Sequence, residues 1–114
     1  MQYENGTWYI GYGTGTNYNN RNSLFPFELN RWYNIVGVYD CGTSLTVYSN
    51  GNEYVQSGLT GGIGHDTVLW FGKSYVDSNR YWTGSLSNVA VYNRLLTREE
   101  ILKNYNAVKG RFGL

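Results

Sequence analysis

The chain has 114 residues and a net charge of +1, with nine basic residues scattered along it, so it is sized for one domain and carries no electrostatic footprint for nucleic acid. Twelve Tyr, four Trp, four Phe and fifteen Gly beside 15% charged residues exclude a disordered chain and point to pleated strands joined by tight turns. The apolar runs are too short to cross a membrane as a helix, and the single cysteine, Cys41, excludes an internal disulfide, so packing must hold the fold.

Residues 1–5 (Met-Gln-Tyr-Glu-Asn) have neither the basic nor the apolar region of a signal peptide. Folding in a reducing cytoplasm is the expectation, and the Asn5-Gly6-Thr7 sequon is expected to stay unmodified. Thr7–Tyr12 is aromatic, bounded by glycine, and reads as the first strand. Gly13–Asn22 is polar without a period and reads as a long loop. Ser23–Phe27 holds the only proline, Pro26, so any strand there is short or at an edge.

The centre has the clearest pattern. Trp32–Asp40 is rich in strand formers, and Asp40-Cys41-Gly42 is a turn. Leu45-Thr46-Val47-Tyr48 alternates with period two, which predicts Leu45 and Val47 in the core and Thr46 and Tyr48 facing outward or across the sheet. Asn50-Gly51 then supplies two residues that accept positive φ, the requirement of a type I′ turn whose twist matches antiparallel strands. Asn52–Val55 returns and completes a three-stranded meander.

Gly58–Gly64 reads as a glycine-rich loop, and Thr67–Phe71 as a strand buried on both faces. Lys73–Arg80 is a second polar loop, and Trp82–Asn93 the last long strand region. Leu86 is out of phase with Val89 and Val91 there; a bulge near Ser87-Asn88 brings all three to one face. A helix closes the chain. Thr97 and Glu100 form a capping box, Leu96 and Ile101 stand at the hydrophobic-staple positions, and Ile101, Tyr105 and Val108 make one apolar stripe. Gly110 is the expected stop. Trp8, Trp32 and Trp70 are assigned to the core.

Three segments in this order resemble the laminin-G-like branch of the concanavalin A-like lectin/glucanase superfamily. They are Arg31–Asp40, which opens on Trp and closes on Tyr-Asp; Leu45–Gly51, similar to an L-x-L/V-Y-x-D/N-G hairpin; and Gly84–Ile101, similar to a closing strand followed by a Y-N-R-x-L-S/T-x-x-E-I helix start. The resemblance covers about Arg31 to Asn106. It implies an all-β, antiparallel β-sandwich of jelly-roll, concanavalin A-like form with one short C-terminal helix, as a single domain over residues 1–114. Family members carry further strands before the position of Trp8, one of them beside the closing strand. The resemblance therefore implies either a sandwich shortened at its N-terminus or one whose open edge at Trp82–Tyr92 another chain covers, and the stickiness of exposed apolar edges favours the second.

Catalytic patterns are missing from the sequence. Glycan-cleaving members of the superfamily carry a Glu-x-Asp-x-Glu strand, in which alternation puts the carboxylates on one face. Here Glu28, Asp40, Glu53, Asp66 and Asp77 are isolated, and Glu99-Glu100 suits a helix start. His65 and Cys41 lie in loop and turn sequence without the partners that nucleophilic chemistry needs. One His and one Cys give no zinc set, and Gly11–Gly15 lacks the lysine of a phosphate loop. Calcium would have only the dispersed Asp40, Asp66 and Asp77, so no cofactor is expected. The expectation is a non-enzyme.

Exposed aromatics beside amide and guanidinium groups are the remaining hint. Tyr12, Tyr18, Arg21, Tyr75, Asn79, Tyr81 and Trp82 lie in or beside the two polar loops and are the candidate glycan contacts. Rings stack on sugar faces while Asn and Arg bond hydroxyls. Tyr also decorates sheets and subunit contacts, and twelve of them make that the plainer reading. The closing Tyr105–Leu114 segment resembles a Y-N-A-x-x-x-R-F-G tail of laminin-G-like modules in tailed-phage structural proteins. That resemblance implies a virion structural, decoration or fibre subunit, folded in host cytoplasm and working as an oligomer with itself or other virion proteins. A stand-alone glycan-binding adhesion module is the alternative. Neither nucleic acid nor membrane is an expected partner.

Overall fold

The structure is a computed structural model that describes residues 2–4, 7–13, 18–26, 28–57, 71–72 and 81–114, with side chains described over 28–54, 71–72 and 81–114. Strands β1 (Gln2–Glu4), β2 (Thr7–Gly13) and β3 (Tyr18–Pro26) form one antiparallel sheet in that order, and β4 (Ile35–Asp40), β5 (Ser44–Ser49) and β6 (Asn52–Ser57) form another. Helix α1 (Arg98–Phe112) ends the chain.

The β4–β5–β6 meander follows from local chemistry. Its register runs unbroken from Ile35↔Ser49 to Asp40↔Ser44, and from Ser44↔Ser57 to Ser49↔Asn52. Asn50 and Gly51 take φ of 48° and 80°, so the Asn-Gly pair makes the primed turn that its residues favour. At the other hairpin, Gly42 takes φ of 76° and the Thr43 N–H donates to the Asp40 carbonyl at 2.9 Å. Leu45 and Val47 are buried as the alternation requires, Val47 almost completely.

Tyr48 departs from the expected pattern: it is buried too, at 5% exposure. It stands opposite Glu53 in the β5–β6 ladder, and Arg98 of α1 reaches Glu53 Oε2 at 3.2 Å. The helix start thus shields a face that a lone hairpin would leave in water. Burial first, and the Glu53 carboxylate beside it, push the Tyr48 hydroxyl above its ordinary pKa.

In the first sheet, β3 corrects the loop expected over Gly13–Asn22. Residues 18–22 belong to a strand, paired through Gly13↔Tyr18 and Tyr12↔Asn19. Register shifts between Thr7 and Tyr9 and between Ile10 and Tyr12 let a polar, aperiodic segment keep a ladder. Pro26 closes β3, and β3 is an outer strand, where a residue without an N–H is tolerated. β1 is an addition to the strands read from the sequence.

Helix α1 starts as expected. Thr97 Oγ1 accepts from the Glu100 N–H at 3.2 Å, and Glu100 Oε2 accepts from the Thr97 N–H at 2.9 Å. Ile101 is buried to 1% exposure, with Tyr105 and Val108 half-buried behind it. The helix does not stop at Gly110. It runs to Phe112 and ends at Gly113, whose φ of 67° is left-handed, while the Lys109 carbonyl accepts from the Gly113 and Leu114 N–H groups. A mid-helix glycine costs only about 1 kcal/mol, too little to end a helix whose next turn has something to pack against.

The largest correction concerns residues 81–97, which have no regular secondary structure apart from an isolated bridge at Tyr81. The expected closing strand and its bulge at Ser87-Asn88 are therefore not formed, and Leu86, Val89 and Val91 are exposed by 52%, 49% and 71%. Strand propensity becomes a strand only where a neighbour completes the ladder, and none of the described strands lies beside this segment. Two core assignments also fail: Phe71 is 55% exposed at a bend and Trp32 is 40% exposed. Trp8 lies on β2 opposite Tyr3, and Trp70 is outside the described residues, as are Thr67–Leu69.

Candidate functional site

A corner of the molecule is built where the residues before β4, the β5–β6 turn and the end of α1 meet. Asn34 donates its N–H to Asn50 Oδ1 at 2.8 Å, and Asn50 donates its N–H to the Asn34 carbonyl at 2.9 Å. This pair ties the segment entering β4 to the hairpin tip. The helix closes on the same tip: a Cβ placed on Gly51 would lie 3.1 Å from the Tyr105 ring and 3.3 Å from Leu102.

The segment leading into this corner is shaped by its own contacts. Asn30 takes a left-handed φ of 61°, which Asn tolerates better than other side chains. The Tyr33 hydroxyl accepts from the Glu28 N–H at 2.9 Å, and Arg31 Nη1 donates to Glu28 Oε2 at 2.8 Å. That ion pair is exposed on both sides, so it orients Arg31 more than it stabilises the fold.

Trp32 then meets Phe112 from the last turn of α1, with ring centroids 4.9 Å apart and planes tilted by 48°. Arg111 lies over the Phe112 ring at 5.4 Å. Together Asn30, Arg31, Trp32, Tyr33, Asn50 and Phe112 line a cleft of about 360 Å³. Its walls are amide, guanidinium and aromatic groups, with the indole partly in solvent.

A smaller cleft of about 240 Å³ lies at the other end of α1, between Tyr92, Arg94 and Leu96 and the helix residues Glu100, Lys103 and Asn104. Here the charges are spent on each other. Arg94 forks onto Glu100 through Nη1–Oε2 at 2.8 Å and Nη2–Oε1 at 2.7 Å. The guanidinium, with the Thr97 N–H, lowers the Glu100 carboxyl to about 2. This is a clamp on the helix start.

The expected glycan contacts fall elsewhere. Tyr12 lies on β2 and Tyr18 and Arg21 on β3; Tyr12 pairs with Asn19 and Tyr18 with Gly13, so the two tyrosines sit at one end of one ladder. Tyr75 and Asn79 are outside the described residues, as are His65, Asp66 and Asp77. Tyr81 is 64% exposed and Trp82 is 37% exposed. The Trp82 N–H donates to the Gly72 carbonyl at 2.7 Å, and a Cβ on Gly84 would lie 3.1 Å from the indole nitrogen. Asp40 and Cys41 are both exposed at the β4–β5 turn.

The cleft residues Trp32, Asn50 and Phe112 were not among the expected contacts. Trp32 reads as the opening of a core strand, Asn50 as a turn residue, and Phe112 stands beyond the expected helix stop. The available signal was the polar flanking of Trp32 by Asn30, Arg31 and Asn34.

A laminin G-type family model, described as the concanavalin A-like lectin/glucanases superfamily, matches residues 1–102. Neither a curated protein nor a solved structure matches the chain.

Proposed function

The chain belongs to the concanavalin A-like lectin/glucanase superfamily, whose members fit a carbohydrate-binding or adhesion-type module, and from that premise we propose that it is a non-catalytic subunit acting through protein–protein assembly. One observation carries the reading. Between Tyr81 and Leu95, seven large apolar side chains are exposed: Tyr81, Trp82, Leu86, Val89, Val91, Tyr92 and Leu95. Apolar side chains exposed in this number along one short segment suit an interaction surface. From Leu86 to Tyr92 the same stretch has strand-forming composition without a ladder, so a partner strand could pair with it and cover its apolar side chains.

In this reading the two sheets complete a jelly-roll sandwich once that strand is supplied, and no cofactor is required. A virion decoration or fibre subunit, folded in host cytoplasm, is the setting that the Tyr105–Leu114 resemblance supports. The mass in solution, by light scattering after gel filtration, tests the assembly. A stable oligomer that Val89→Lys with Val91→Lys converts to monomer supports it. A monomer with a single sharp melting transition overturns it.

The second reading, a saccharide-binding module, is favoured by a separate observation, the cleft at Trp32.

A further inference from the structure

We propose that the corner cleft is a saccharide-binding site, with Trp32 as the stacking platform and Asn30, Arg31 and Asn50 as partners for sugar hydroxyls. It deepens the second reading by placing it at residues other than Tyr12, Tyr18 and Trp82, and it does not depend on the assembly through Tyr81–Leu95.

Four observations converge on it. Trp32 is the first. A tryptophan in strand-forming sequence stays 40% exposed and lines a cleft, although burying the whole ring would be worth several kcal/mol. The Phe112 ring at 4.9 Å backs it, so its orientation is set before any ligand arrives and little rotamer entropy is lost on binding.

Asn30 is the second. Its φ of 61° is left-handed, a conformation that costs a non-glycine residue of order 1 kcal/mol. At Asn50 a two-residue hairpin demands that geometry. At Asn30 the turn over residues 29–30 takes the same geometry, and it sets Asn30 in the lining of the cleft.

The third is the donor capacity of the remaining polar groups. The Asn50 carboxamide oxygen is occupied by the Asn34 N–H, which leaves its NH₂ as the group with donors to offer. Arg31 gives one nitrogen to Glu28 and keeps further N–H donors. Because Glu28 balances its charge, the cleft selects hydrogen-bonding geometry more than anionic character.

Size is the fourth. A cleft of about 360 Å³ lies at the lower end of the roughly 300–1,000 Å³ of small-ligand sites, enough for a sugar ring and part of its neighbour. A pyranose offers what these walls lack and need: a flat C–H face for the indole and hydroxyls around its rim.

The test uses the whole chain against a panel of neutral oligosaccharides built from glucose, galactose and mannose, followed by NMR shifts of the Trp32 indole N–H. The expected result is binding by at least one glycan, with that resonance among those perturbed. Trp32→Ala should weaken it by roughly 30-fold, the loss typical of a central stacking residue. Asn30→Gly removes the amide while relieving the backbone, so it should weaken binding several-fold with an equal or higher melting temperature. Trp82→Ala should leave the affinity unchanged. The proposal is overturned if no glycan in the panel moves the Trp32 indole, or if Trp82→Ala abolishes binding while Trp32→Ala spares it.

Discussion

Asn34 and Asn50 hold each other across sixteen residues by two hydrogen bonds, one from the Asn34 N–H to Asn50 Oδ1 at 2.8 Å and one from the Asn50 N–H to the Asn34 carbonyl at 2.9 Å. One side chain thereby does two things. It accepts the left-handed φ of 48° that the turn requires, and it ties the entry to β4 onto that turn. Asn34 Oδ1 is itself buried and unpartnered, so the pair is sensitive to any loss on the other side.

Asn50→Ala removes the acceptor and places a strained residue in the turn. A lost part-buried bond and an unfavourable φ together predict a destabilisation of about 2–4 kcal/mol in chemical denaturation. Asn50→Asp keeps an oxygen in place and should cost markedly less. Equal losses for the two variants would show that the side-chain bond to Asn34 carries no weight.

Glu100 makes the helix start pH-sensitive. Its carboxyl is lowered from an ordinary 4.5 to about 2, first by the hydrogen bonds from Arg94 and then by the Thr97 backbone. A lowered folded-state value means that the unfolded chain takes up the proton first. The stabilisation from Glu100 is therefore full above about pH 4.5 and disappears as the pH falls toward 2. Melting curves of the wild type and Glu100→Gln should be separated at neutral pH and converge over that window. A separation that stays constant down to pH 2 would contradict the clamp.

The two glycines at the end of α1 should respond in opposite directions. A Cβ at Gly110 meets nothing within 4 Å and the position is helical, so Gly110→Ala should stabilise by about 0.5–1 kcal/mol. Gly113 has the left-handed φ of 67°, and Gly113→Ala should destabilise by about 1 kcal/mol. Thermal denaturation of the two single variants checks both signs.

Ile101 is the anchor of the helix. Fully buried, it should cost about 2–5 kcal/mol on change to Ala and about 0.5–1.5 kcal/mol on change to Val. Val108, half-buried on the same stripe, should cost clearly less than Ile101 on change to Ala. Comparable losses at both positions would mean that the helix docks by its middle rather than by its first turns.

Much of the fold was legible because it is governed by near neighbours. Asn50-Gly51 turns where it must, Leu45 and Val47 alternate into the core, and Thr97 with Glu100 begins the helix; each depends on residues within a few positions. The candidate contacts were less legible. Trp82 and Tyr81 are exposed as expected, whereas Tyr18 and Arg21 proved to be strand residues.

By itself the sequence determined those turns, caps and alternations, since the physics of a β-turn or a capping box is spent within one local segment. Only the tertiary structure decided the fate of Tyr48, Trp32, Phe112 and the stretch after Trp82. Tyr48 is buried because Glu53 and Arg98 bring the helix start against its face, and Trp32 gains a ring partner because the helix runs on through Gly110 to place Phe112 against it. Residues 82–97 have the composition of a strand and no ladder, because a ladder is a property of two segments and a single segment's propensity supplies half of it.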